Sequence, residues 1–232
     1  MNTRIKVFIG YDSKQNFSEK LDYGFNAPYQ VCKRSLLDNS DNVEIIPLKL
    51  TTLKELGLYY RTEDTSATTE FTYSRFLVPF LSDYKGISIF CDSDFLWQCD
   101  INDLNKYISE NYSIACVQHS YVPNADTKMD GLKQTVYPRK NWSSLMVFNC
   151  AHKDCKNLSV ENVNSKSPKY LHRMEWAEEK NINALPLEYN WLEGEYDSKV
   201  EPKAIHFTNG GPWHSTWDGD YSDNWLKIFS RL

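Results

Sequence analysis

The chain has 232 residues, 41% of them hydrophobic, and its 31 acidic against 26 basic side chains give a formal net charge of −5. This length and apolar content can bury a large core, so global disorder is excluded. The negative balance argues against a nucleic-acid backbone or an anionic membrane surface as the main partner, and it would repel a nucleotide diphosphate unless a cation were bound.

The first ten residues, Met1 to Gly10, carry only a short apolar run, too short for a signal-peptide core; Lys6 to Gly10 reads as a first strand opening into a loop at Tyr11-Asp12-Ser13. Pro28 to Leu37 reads as a helix with its proline in the first turn, and Val43 to Leu48 as a second β-branched strand. A strand–helix–strand opening suits a parallel sheet with ligand-binding potential at the end of the first strand. Thr68-Thr69-Glu70 has the form of a helix start, leading through Arg75 to Pro79 near the helix end. Ile87 to Cys91, Ser113 to Gln118 and Leu145 to Asn149 are expected strands. The polar stretch Tyr121 to Asn141 suits either a mobile lid or acceptor loop or a plain surface excursion. Tyr170 to Lys180 is expected as a helix and Ile182 to Leu187 as a strand. Glu188 to Trp217, rich in Trp, Gly and Pro, is expected to be irregular, with Asp223 to Leu232 an amphipathic helix.

No composition break divides the chain, so one domain over 1–232 is expected, of α/β class with a mostly parallel central sheet flanked by helices. No apolar run reaches the ~18 residues a transmembrane helix needs. The six cysteines are scattered without a CxxC pair, which predicts reduced thiols, no zinc cluster and a cytoplasmic location.

Chemistry concentrates in two places. Ile87-Ser88-Ile89-Phe90-Cys91 is apolar on both faces and ends in Asp92-Ser93-Asp94. Two carboxylates at the carboxyl end of a buried strand can share a hard divalent cation and accept phosphate oxygens beside it. They can equally be an acidic turn closing a core strand. The second place is Ala204-Ile205-His206, a short strand ending in a histidine, followed by Phe207-Thr208-Asn209-Gly210-Gly211-Pro212-Trp213. An imidazole joining two carboxylates suits Mn²⁺ better than Ca²⁺ or Mg²⁺, while a glycine pair lets the backbone approach a ligand or simply makes a tight turn.

Taken in order, Phe8-Ile9-Gly10-Tyr11-Asp12, Tyr73-Ser74-Arg75-Phe76, the DxD motif Asp92-Ser93-Asp94 and His206 to Trp213 resemble the retaining glycosyltransferases of family 8, the glycogenin and bacterial galactosyltransferase group. The resemblance implies a GT-A fold and transfer of a sugar from a UDP-sugar to a hydroxyl acceptor (a glycan, a lipid-linked or a protein acceptor), dependent on Mn²⁺ or Mg²⁺. It implies that Asp92, Asp94 and His206 hold the metal. Gly10, Tyr11 and Asp12 would then meet the uracil and ribose. Arg75 would reach the donor and brace the second DxD aspartate. Ser93 belongs with the donor-binding residues, and Gly210, Gly211 and Trp213 with the loop over the diphosphate. Arg75, Asp94 and Glu175 are the residues expected at the reacting centre, with Glu175 or Glu193 stabilising the cationic sugar.

The chain also departs from that pattern. Gly211 precedes Pro212-Trp213 where the family usually has lysine, Trp142-Ser143-Ser144-Leu145 replaces its Asn-x-Gly, and His172-Arg173-Met174-Glu175-Trp176 stands about where an Asp-Gln pair is expected. These differences suggest a divergent member with an unfamiliar acceptor. The aromatic group Tyr189, Trp191, Trp213, Trp217 and Tyr221 suits an acceptor platform or core filling. Three other readings remain open: a non-catalytic nucleotide-sugar-binding protein with a degenerate transferase fold, a haloacid-dehalogenase-like phosphatase with Asp92 as nucleophile, and a nucleotidyltransferase on a similar α/β scaffold, for which Gly10-Tyr11-Asp12-Ser13-Lys14-Gln15 barely supplies the Gly-rich loop.

Overall fold

The computed structural model describes residues 4–16, 25–62, 67–120, 138–196 and 200–232. Among the described residues nine strands form two sheets: β1 (Ile5–Tyr11), β2 (Val43–Lys49), β3 (Ile87–Cys91), β4 (Phe95–Trp97), β5 (Ile114–Val117), β6 (Leu145–Asn149), β7 (Ile182–Leu185), β8 (Trp191–Leu192) and β9 (Ala204–His206). The helices are α1 (Ala27–Asn39), α2 (Leu50–Glu55), α3 (Val78–Leu81), α4 (Val160–Ser165), α5 (Pro168–His172) and α6 (Ser222–Phe229). The large sheet has the order β2-β1-β3-β6-β5-β7 and the small one β4-β9-β8.

The large sheet is parallel at β2-β1, β1-β3 and β5-β7, and β6 runs antiparallel between β3 and β5. This is the expected mostly parallel α/β sheet, and both faces are covered. Phe8, Phe90, Met146 and Phe148 point to one core with Phe76 and Leu171, while Val7, Ile9, Ile89 and Val147 point to the other with Cys32 and Leu36 of α1. The period-two alternation explains why the strands read as continuous apolar runs. α1 starts where Asn26 accepts a hydrogen bond from the Tyr29 N–H, with a proline in the first turn whose missing N–H costs nothing there.

Two features place the site. Because β6 is antiparallel to β3, Cys91 faces Leu145, and the residues entering β6 lie beside the carboxyl end of β3. The Asp92 N–H donates to the Ser144 carbonyl at 2.9 Å. In the small sheet Phe95 is paired with His206, which brings the end of β9 back to the DxD turn. The Phe207 N–H donates to the Asp94 carbonyl at 3.0 Å.

Three expected elements need correction. No α-helix begins at Thr68: the Thr69 and Thr72 hydroxyls bond each other and nearby backbone groups, competing with helical bonds, and a 3-10 turn starts only at Ser74. Pro79 accordingly lies in the first turn of α3, not near a helix end. The helix expected over Tyr170 to Lys180 is α5, capped by Ser167 and finished at His172, because Met174 takes a left-handed φ of 54°. The stretch from Glu188 is mainly irregular but contains β8 and β9, which the short apolar runs did not separate from loop. Residues 121–137, most of the expected lid or acceptor loop, lie outside the described residues. The six cysteines are free thiols, and among the described residues no helix is long and apolar enough to cross a membrane.

Candidate active site

Asp92, Asp94 and His206 converge, each offering a ligand atom within 4.8 Å of the others. The histidine is oriented from behind. Its Nδ1 lies 3.0 Å from Asn190 Oδ1, and Asn190 Nδ2 donates to Ser144 Oγ at 2.8 Å, so the amide presents its oxygen to the ring. A neutral imidazole therefore carries its proton on Nδ1 and turns the Nε2 lone pair toward Asp94 Oδ1, 3.3 Å away. In that neutral form the two acceptors would face each other at a separation that a cation between them relieves. Phe95, stacked on the imidazole at 4.6 Å, sets the ring plane. The donor set of two carboxylates and one imidazole fits Mn²⁺ and tolerates Mg²⁺.

Arg75 is 6% exposed. Its Nη1 lies 2.8 Å from Asp92 Oδ1 and donates to the Ser143 carbonyl at 2.9 Å, while Nε donates to the Phe71 carbonyl at 3.2 Å. The guanidinium also lies near the Phe71 and Phe90 rings. The expected inward arginine is present, but it braces the first DxD aspartate, not the second. The reason is topological: Ser143 and Asp92 are brought together by the antiparallel β6, and the arginine bridges them.

Arg75 and the metal-type triad line a cavity of about 390 Å³ whose other walls are residues 68–73, the turn at 140–144 and α5. Asn141 Nδ2 reaches Thr208 Oγ1 at 3.4 Å, tying that turn to the segment just after His206. His172 joins the walls: its Nδ1 meets Ser143 Oγ at 2.9 Å, and its ring meets Tyr73 and Phe76 edge-on. Burial, with Arg75 and Arg61 nearby, pushes the His172 imidazole down to about 3, so it is neutral. His119, bonded through Nδ1 to the Tyr196 hydroxyl at 2.7 Å, is likewise held at about 3 by burial and by His206.

Other residues picked from the sequence lie elsewhere. Gly10, Tyr11 and Asp12 do not line this cavity. A Cβ on Gly10 would come within 2.6 Å of the Phe71 ring, so the glycine serves close packing. Tyr11 meets Tyr29 edge-on and lies under Lys49. The Asp12 carboxylate accepts from the N–H groups of Lys14 and Glu70, and burial raises its pKa. Ser93 is fully buried and donates to Gln15 Oε1 at 2.9 Å, holding the DxD turn to the loop after β1.

Gly210, Gly211 and Trp213 are also outside the cavity lining. The Trp213 ring packs against Phe207 and Trp225 and fills the space a side chain on Gly211 would need, with a contact at 2.2 Å from an added Cβ. A lysine at 211 is therefore incompatible with this packing. Glu175 is 42% exposed at its side chain, pairs with Lys169 at 3.4 Å and is not among the lining residues, because α5 ends at His172. Glu193 is buried, accepts from the Asp220 N–H and is not among the lining residues. Of the two readings of the aromatic group, the packing matches core filling: Tyr189 and Trp191 are buried, and Trp213, Trp217 and Tyr221 are half-buried against the cluster that holds Phe207 and Trp225. Sequence reasoning missed Asn190 and Lys140 as site residues, since each is a common polar residue with no motif around it. Ser143 and His172 entered only by their places in the order.

No family model matches the chain. Solved structures of similar fold include the bifunctional glycosyltransferase WbbM (TM-score 0.63, 15% identity, covering 100% of this chain and 50% of that one) and GlyE of Streptococcus pneumoniae TIGR4 (0.61, 12%, 98% and 60%). The galactosyltransferase LgtC in complex with donor and acceptor sugar analogs is similar at a TM-score of 0.57 and 10% identity, with 98% of this chain and 96% of that one covered. The chain thus spans half of WbbM and 60% of GlyE, and it has the GT-A glycosyltransferase fold. In sequence it is 44% identical over 229 residues to Protein CDI of Arabidopsis thaliana, a match covering 96% of this chain and 85% of that protein. At that identity and coverage, the chain belongs to the family of Protein CDI.

Proposed function

We propose that this chain is a retaining glycosyltransferase of the family 8 type, a single GT-A domain over 1–232 that moves a sugar from a UDP-sugar to a hydroxyl acceptor with Mn²⁺ or Mg²⁺. The observation that carries the reading is the Asp92, Asp94 and His206 cluster at adjoining strand ends, lining the cavity of a GT-A fold. Bound there, a divalent cation supplies Lewis-acid neutralisation of the diphosphate as it leaves. The protein's own groups do the rest. Arg75, fixed by Asp92 and two carbonyls, keeps a positive charge at the cavity wall without reorganisation. Asn190 keeps the His206 lone pair forward. Lys140, on the turn bonded to Thr208, adds a cation to the cavity wall in a chain that has no room for a lysine at 211. With Glu175 and Glu193 outside the cavity, no glutamate among the described lining residues is available as a nucleophile, which favours front-face attack by the acceptor hydroxyl. The phosphatase reading loses its basis, since Asp92 is engaged by Arg75 in a GT-A fold. Free buried thiols suit the reducing, cytoplasmic setting included in the proposal.

The test is a thermal-shift panel of UDP, GDP, CMP and orthophosphate with and without Mn²⁺. The expected result is a Mn²⁺-dependent shift with UDP that Asp94→Asn abolishes, followed by slow hydrolysis of a UDP-sugar. No shift with any nucleotide would refute the donor site. A shift without hydrolysis or transfer would leave a binding protein.

A further inference from the structure

The charge of the cavity does not match that of the chain. Its described lining holds four cationic side chains, Arg75, Lys140, Lys169 and Arg173, against two carboxylates, Asp92 and Asp94, in a protein of net charge −5. A divalent cation and the doubly esterified, doubly negative diphosphate of a nucleotide sugar cancel each other, so two positive charges are left over. Arg75 is committed to Asp92, and Lys140 sits on the turn tied to Thr208. The surplus therefore falls on Lys169 and Arg173, four residues apart and so on one side of α5 and its C-cap.

Lys169 is only loosely held by Glu175, at 3.4 Å with both side chains well exposed. Arg173 makes no ion pair with a described residue. Its backbone is nevertheless fixed: the N–H donates to Lys169 O, and the carbonyl accepts from Arg139 at 2.7 Å. Beside α5, joined to it through the Tyr73–His172 contact, the 68–73 wall includes Thr68, Thr69 and Thr72. A planar guanidinium and an ammonium on a polar wall are the groups that recognise a sugar bearing a carboxylate or phosphate.

We propose that the acceptor is anionic, a sugar carrying a carboxylate or phosphate group that docks on Arg173 and Lys169. This rests on the transferase reading only in calling the ligand an acceptor. The test is titration calorimetry of glucose, glucuronate and glucose 6-phosphate into the full chain at low salt, with and without saturating UDP and Mn²⁺. The expected result is that one charged sugar binds about tenfold tighter than glucose, and the preferred one identifies carboxylate or phosphate as the source. Arg173→Gln should bring it within about threefold of glucose, Arg173→Lys should restore part of the preference, and UDP–Mn²⁺ affinity should be unchanged in both. Arg34→Gln, remote from the cavity, should change nothing.

Equal binding of glucose and both charged sugars would overturn the proposal, as would a preference that survives Arg173→Gln combined with Lys169→Gln. Loss of UDP–Mn²⁺ affinity in Arg173→Gln would also overturn it, by assigning that cation to the donor. An Arg173-dependent preference in a chain that ignores UDP and Mn²⁺ would uphold the anionic-sugar site and refute the transferase reading instead.

Discussion

Replacing Arg75 by methionine keeps much of the side-chain volume and removes the guanidinium. The side chains of Arg75 and Asp92 are 7% and 16% exposed, so the pair is largely withdrawn from water. Removing one partner of such a pair costs about 3–5 kcal/mol, because the remaining charge is uncompensated. The carbonyls of Ser143 and Phe71 lose their donors in the same step, which holds the estimate toward the upper end despite the residual exposure of Asp92. Against a typical total of about 5–15 kcal/mol, this is a large fraction. With an m-value of about 2–3 kcal/mol/M, the urea midpoint should fall by about 1–2 M, followed by tryptophan fluorescence in EDTA. Cation binding supplies the charge that Arg75 no longer does, so Arg75→Met should bind Mn²⁺ more tightly and the gap to wild type should narrow in saturating Mn²⁺. A loss below about 1 kcal/mol would refute the pairing of Arg75 with Asp92, and a gap that Mn²⁺ leaves untouched would refute Asp92 as a proposed metal ligand.

Asn190→Ala should weaken Mn²⁺ binding about 10–100-fold while the fold survives, and an unchanged Kd by calorimetry would show that the Asn190–His206 bond does not orient the ligand. Gly211→Ala should lower stability by about 1–3 kcal/mol through its clash with Trp213, measured as a drop of several degrees in Tm; a neutral effect would mean that the tryptophan moves aside readily. His119 and His172 titrate near 3 when folded and near 6.5 when unfolded, so the unfolded chain takes up protons first as pH falls. Stability should therefore be full above about pH 6.5 and fall by up to about 1.4 kcal/mol per pH unit for each imidazole between there and pH 3. Urea midpoints at pH 7.5, 6 and 5 would reveal the slope, and a flat profile would show that neither histidine is held neutral by burial.

How much was legible in the sequence depended on the range of the interaction. The strands were legible because burial on both faces requires unbroken apolar runs, and Ile87 to Cys91 and Leu145 to Asn149 were read at their observed ends. The helix at Thr68 was misread because threonine hydroxyls serve a helix cap and a non-helical turn equally well. Glu175 was misread because its neighbours fit a longer helix, and only the left-handed Met174 ends α5 and leaves the carboxylate outside the cavity.

The sequence by itself determined the α/β class, the β3 strand ending in Asp92 and Asp94, and a late strand ending in His206, since each follows from local pattern and composition. Only the tertiary structure decided that β6 runs antiparallel, that Arg75 therefore bridges Ser143 to the first aspartate, and that Asn190 stands behind His206. The same holds for Trp213 filling the space beside Gly211 and for the cations of α5 facing the cavity. Apart from Gly211 and Trp213, these contacts join residues from different elements, 16 or more positions apart along the chain, and no local periodicity encodes which of them share a charge or a void.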